Sequence, residues 1–135
     1  MGICIYKHMN IKSCKRKGNK VDKITDFFKI MSDETRLRIL ILLYHKALCV
    51  CQICGITGES QPKISKHLAK LRDIGFVKDE RVEKFVFYRL SIQEQMYKEI
   101  LKIIIDNIDK NSKFRNDMEK IKDAEKYLET CHIKI

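Results

Sequence analysis

The chain has no tryptophan, a single proline and five glycines in 135 residues. So few turn formers argue against a turn-rich all-β fold. With aromatics at 8%, the core has to be built mainly from Ile, Leu and Val. No apolar run approaches the roughly 18 residues needed to span a bilayer. The opening MGICIYKHMN holds too short an apolar stretch for a secretory leader. These absences point to a cytoplasmic protein with no membrane partner. Acid is missing too: residues 1–20 carry Lys7, Lys12, Lys15, Arg16, Lys17 and Lys20 and no Asp or Glu.

What is present is unevenly placed. From Ser91 onward nine basic residues are matched by nine acidic ones, so the net charge of +10 sits in the first two thirds. A basic front expects a polyanion partner, and a balanced back expects a protein partner. Six cysteines in a cytoplasmic chain do not suit a structural disulfide framework. Cys49, Cys51 and Cys54 crowd together, which fits a site for a soft ion or a redox sensor. A thiol enzyme built on Cys51 or Cys54 would need an amide-lined anion loop or a histidine partner. Neither is visible, and the chain is read as a non-enzyme.

Residues 1–20 lack periodicity and read as a flexible basic arm. Val21, Ile24, Phe27, Phe28 and Met31 recur at helical spacing and predict a first helix to about Ile30. Ser32 is the expected cap of a second helix carrying Leu37, Leu40, Ile41 and Tyr44, which breaks at Lys46-Ala47. A short third helix is expected roughly from Val50 to Gly55, ended by Gly55 and Gly58 near a turn. Ser60 then caps a fourth, with Pro62 in its first turn, a core face of Ile64, Leu68 and Leu71, and Gly75 past its end. Two short helices joined by a glycine-containing turn make a helix-turn-helix.

After Gly75 the period switches to two. Residues 76–82 and 85–90 read as strands, with Glu83-Lys84 at a tip expected to exceed two residues because neither is Gly or Asn. A hairpin in this place is a wing. Ser91 is the expected cap of a fifth helix with Ile92, Met96, Ile100, Ile103, Ile104 and Ile108. Asn111-Ser112 interrupts it, and Phe114, Met118, Ile121 and Leu128 suggest a last amphipathic helix. The expected fold is mainly α with a small β-hairpin (α+β), a winged helix-turn-helix that dimerises through its N- and C-terminal helices. Its parts are the arm (1–20), the DNA-binding domain (21–110) and a C-terminal helical extension (111–135).

Three segments resemble one family in the right order. ALCVCQIC resembles the ELCVCDLC box of the ArsR/SmtB metalloregulators, SQPKISKHLAKLRDIGFV with FVFYRLS resembles their recognition helix and wing, and FKIMSDETRLRILILL resembles their first two helices. The match covers about residues 21–105. It implies a homodimeric repressor that leaves its operator when a metal binds, and the Cys-x-Cys-x-x-Cys version resembles the As(III)/Sb(III) sensors. The metal ligands it implies are Cys49, Cys51 and Cys54. The acids that usually flank the box are Ala47 and Gln52 here. The zinc-sensing branch uses Asp and His on the fifth helix, where this chain offers Asp106 and Asp109 without His. A Cd(II)/Pb(II)-sensing branch recruits cysteines from the arm, and Cys4 and Cys14 keep that alternative open, as does a thiol redox-sensing repressor. Cys131 is a weaker candidate for a further sulfur.

Thiolates select thiophilic ions, and three of them suit the trigonal pyramid of As(III). On a regular helix Cys51 and Cys54 share a face, whereas Cys49 points away from Cys51. The three converge only if the chain around Cys49 leaves helical geometry, so ion binding is expected to remodel the entry of the third helix. DNA binding itself requires no cofactor. Base edges would be read from the start of the fourth helix by Gln61 and Ser65. Ser60, Lys63, Lys66 and His67 would position phosphates, with Arg81, Lys84 and Arg89 on the wing. A symmetric dimer implies an imperfect inverted repeat in double-stranded operator DNA.

Overall fold

The computed structural model describes residues 24–129. The expected arm with Cys4 and Cys14, and the terminal Cys131, lie outside them. Helix α1 (Ile24–Met31) buries Phe27, Ile30 and Met31; of the stripe read from the sequence, Phe27 and Met31 are buried, Ile24 and Phe28 are exposed, and Val21 lies outside the described residues. Its end is closed by Ser32, whose hydroxyl donates to the Lys29 carbonyl at 2.7 Å. Ser32 therefore does not cap the next helix. Asp33 does, its carboxylate accepting from the Arg36 amide at 3.0 Å at the head of α2 (Glu34–His45). A carboxylate satisfies the free amides and also meets the positive end of the helix dipole.

Helix α2 is buried from Ile39 to Leu43 and forms the centre of the domain. Leu48–Cys49 then runs extended as β1 and pairs with Tyr88 and Phe87. A two-residue strand leaves no periodicity to read; it exists because its partner is there. Helix α3 (Val50–Thr57) continues past Gly55 and ends at Gly58, where φ is +77° and the amide donates to the Cys54 carbonyl at 2.8 Å. Of the two expected terminators Gly58 thus ends the helix, while Gly55 lies inside it for another reason: a Cβ there would overlap the ring of Tyr127. Helix α4 (Gln61–Asp73) starts at Ser60, whose hydroxyl accepts from the Lys63 amide, and has Pro62 in its first turn. Ile64, Leu68 and Leu71 are fully buried, as expected.

Strands β2 (Val77–Val82) and β3 (Phe85–Leu90) form the wing, and β1 adds to β3 to give a three-stranded antiparallel sheet ordered β1-β3-β2. Val82 pairs with Phe85, so the tip is two residues, shorter than expected. Glu83 makes this possible by adopting φ +59°, a conformation that costs a side-chain-bearing residue about 1–2 kcal/mol. Ser91 does not cap the fifth helix. Its hydroxyl donates to the Gly75 carbonyl at 2.9 Å and fastens the base of the wing. Helix α5 (Gln95–Asp106) begins only after Glu94 and stacks Tyr97 on Phe27 at 4.2 Å between ring centres.

Asn111 caps α6 (Ser112–Lys120), its side-chain oxygen accepting from the Lys113 amide at 3.0 Å. The single last helix expected from Phe114 to Leu128 is instead broken by a 3₁₀ turn at Ile121–Asp123 and resumes as α7 (Lys126–Glu129). Helix α6 packs on α2 and α3, and α7 packs on α3. The whole is a winged helix-turn-helix, mainly helical with a small sheet. Among the described residues no helix is long and apolar enough to cross a membrane.

Candidate metal centre and nucleic-acid face

The three box cysteines occupy three different environments. Cys49 ends β1 with φ −93° and ψ 172° and serves as the N-cap residue of α3. It is thus outside the helix, and its side chain is 3% exposed. Helical geometry around Cys49 is already abandoned, so bringing it toward Cys54 does not require unwinding α3. Burial, and next the nearness of Cys49, push the Cys54 thiol above its ordinary range. Cys51 is half-buried on α3, three residues before Cys54. Among the described residues no three His, Cys, Asp or Glu side chains are grouped as a ready ion cage.

The donor set nevertheless fits a soft, low-coordinate ion. Three sulfurs on one short helix and its cap, at a partly buried spot, offer no hard oxygen ligands of the kind Mg²⁺ or Ca²⁺ takes.

Gln52 has a position that sequence reasoning missed. It is buried, its Oε1 accepts from the Cys49 amide at 3.0 Å and its Nε2 donates to the Ala124 carbonyl at 3.1 Å. Arg38 was missed as well. Its guanidinium donates through Nε and Nη2 to the two carboxylate oxygens of Asp117, each at 2.7 Å. Nη2 also donates to the Thr57 carbonyl at 3.0 Å, and Nη1 lies 3.5 Å from Glu59 Oε2. Arg38 and Asp117 are both buried, and this bidentate pairing holds the guanidinium pKa above its ordinary value. The one available signal was a charge amid the apolar run LRILILL.

The DNA-reading candidates divide by exposure. Gln61, Lys63 and Lys66 are exposed on the outer side of α4, with Ser60 at its head and Ser65 half-buried. Gln61 Nε2 donates to Ser65 Oγ at 3.0 Å, so the two expected base readers form one polar unit. Lys63 Nζ reaches Glu59 at 3.0 Å, which links the front of α4 to the Arg38 cluster. His67 is turned inward, 3.8 Å from Asp33 Oδ1. Burial lowers its pKa despite the opposing pull of Asp33. On the wing, Arg81 and Lys84 are exposed, and Arg89 pairs with Glu80 at 3.3 Å with both side chains in solvent.

Comparison with known proteins gives a consistent identity. The family described as "Bacterial regulatory protein, arsR family" matches residues 33–79. An "Arsenical resistance operon repressor" of Escherichia coli (strain K12) is 54% identical over 65 residues, covering 47% of this chain and 56% of that one. A "Cadmium resistance transcriptional regulatory protein CadC" of Listeria innocua is 37% identical, covering 63% of this chain and 73% of that one. Among solved structures, "Reduced HlyU from Vibrio cholerae N16961" superposes with a TM-score of 0.56 at 30% identity, covering 73% of this chain and 93% of that one. The chain spans 56–63% of the length of the arsenical regulators it matches.

Proposed function

Because the chain belongs to the arsR family of bacterial regulatory proteins, we propose that it is a homodimeric repressor released from operator DNA by As(III) or Sb(III) held on Cys49, Cys51 and Cys54. The observation that carries this reading is the placement of Cys49. It stands at the N-cap, outside the helix, and is buried at the entry of α3. Reduced Cys51, three residues from Cys54 on α3, completes a soft trigonal donor set. Occupancy pulls on the head of α3, and α3 packs directly on α4. Linkage then requires that whatever ion affinity is lost on DNA equals the DNA affinity lost on the ion, typically about 5–150-fold.

On the DNA side, Gln61 and Ser65 read base edges, while Ser60, Lys63, Lys66, Arg81, Lys84 and Arg89 hold phosphates. His67 is assigned instead to the α2–α4 contact. The dimer is supported by Ile24 and Phe28 on α1 and Met96 and Ile103 on α5, large apolar side chains that remain exposed.

A gel-shift titration of the reduced chain with As(III), Cd(II) and Zn(II), repeated with Cys49→Ala, tests the reading. The DNA would be a duplex selected on this chain from a random pool. As(III) is expected to release it from wild type and not from the variant; a complex indifferent to As(III) refutes the proposal. Release by As(III) that disappears in Cys4→Ala or Cys14→Ala would instead support arm cysteines in the site, the arrangement suited to Cd(II) or Pb(II).

A further inference from the structure

We propose that residues 112–129 form a clasp on the cysteine helix, and that Gln52 is the positioning residue through which the cysteine box opens or closes it. The inference rests on the proposal that this box binds As(III). Helix α3 is only eight residues long, yet the C-terminal segment grips it along its whole length. At the head, the Ala124 carbonyl accepts from Gln52 Nε2 at 3.1 Å, and Ala124 itself is 1% exposed. In the middle, the Tyr127 ring lies so close on Gly55 that no side chain fits between them. At the tail, Asp117 holds Arg38, which in turn holds the Thr57 carbonyl at 3.0 Å. From there Glu59 and Lys63 continue the chain of contacts to the front of α4. Outside this grip, Lys113 reaches Glu34 at 2.9 Å on the surface.

The geometry makes Gln52 bifunctional. One buried amide accepts from the backbone of a ligand residue, Cys49, and donates to the backbone of the clasp. The oxygen and nitrogen of the Gln52 terminal amide share one plane at a fixed separation, so a shift at one bond is felt at the other. When Cys49 shifts to join Cys51 and Cys54, its N–H moves, and Gln52 has to release either Cys49 or Ala124. Either release leaves a buried polar group unpaired, so the clasp and the occupied box disfavour each other.

Hydrogen–deuterium exchange on the reduced full-length chain, with and without saturating arsenite, tests this. Arsenite binding is followed independently by the thiolate-to-arsenic absorption band. In wild type, exchange over residues 112–129 is expected to rise about tenfold on binding, within the usual range of such couplings. In Gln52→Leu the band persists but the arsenite-dependent rise falls below about twofold, because the connection is gone. Asp117→Asn is the second variant, which keeps the side chain's shape and removes its charge at the tail of the grip. It should raise exchange over 112–129 before arsenite is added and still respond to it. An absorption band with unchanged exchange in wild type overturns the clasp while leaving the As(III) site intact. No band at all overturns both, and the two failures are thereby distinguished.

Discussion

Two sides of this small domain carry apolar helix faces, and the chain treats them differently. On one side, α2 and α3 are covered by the chain's own α6 and α7, with Phe114, Ala124 and the Arg38–Asp117 pair sealed inside. On the other, α1 and α5 leave Ile24, Phe28, Met96 and Ile103 at the surface, the last 62% exposed. A covered side that includes a buried, bidentate ion pair is fixed within one molecule. An uncovered apolar side is what a second copy buries. The comparison separates a covered side, which holds the cysteine helix, from an uncovered one, which the proposed dimer would bury.

The comparison can be broken most severely at Arg38. Removing one member of a buried ion pair typically costs about 3–5 kcal/mol, so Asp117→Ala should lower the urea midpoint sharply. Replacing both together, Arg38→Met with Asp117→Leu, should cost clearly less, since no charge is stranded. Equal losses for the single and double variants would mean that the pair is not the fastening of the covered side.

A second test uses Gly55. Overpacking costs about 1–3 kcal/mol, and Gly55→Ala should show it in thermal or urea unfolding. The sign should invert in a Tyr127→Ala background, where alanine is about 1 kcal/mol better than glycine in a helix. Additive effects in that cycle would place Tyr127 elsewhere than on α3.

On the uncovered side, Ile103→Asp should weaken self-association about tenfold or more by sedimentation while leaving the unfolding midpoint of the monomer nearly unchanged. A variant that unfolds but does not dissociate would show that α5 is core and not interface. Smaller again is the wing tip, remote from both sides. Glu83→Gly relieves the left-handed backbone and should stabilise by about 0.5–1 kcal/mol.

The smallest effect concerns pH. The pKa of His67 is lowered in the folded chain, burial being the leading cause, so the unfolded chain binds the proton more readily. The sign follows: stability is full above the ordinary histidine range and declines as pH falls through the folded value. His67→Asn should flatten that part of the profile, while a profile unchanged by the substitution would remove His67 from the α2–α4 contact.

The parts legible in the sequence were those with strong local rules. The periodic stripe of Ile64, Leu68 and Leu71, the Ser60 cap and the alternating wing strands are all found in place. What escaped was decided by partners far along the chain. Leu48–Cys49 is a strand because β3 lies beside it. Gly55 is there for a ring 72 positions later, not for a helix end. Asp33 outcompeted Ser32 as a cap because Ser32 was occupied by the helix before it. In the candidate site, the cysteine spacing was legible, while the roles of Gln52 and Arg38 depend on Ala124 and Asp117, residues that no local pattern connects to them.

The proposed coupling between the cysteine box and the recognition helix is tested most directly by measuring arsenite affinity twice, on the free reduced chain and on the chain saturated with a selected DNA duplex. The account predicts weaker arsenite binding to the DNA complex, by the same factor that arsenite weakens DNA binding and about 5–150-fold in size. Equal arsenite affinities in the two states would contradict it.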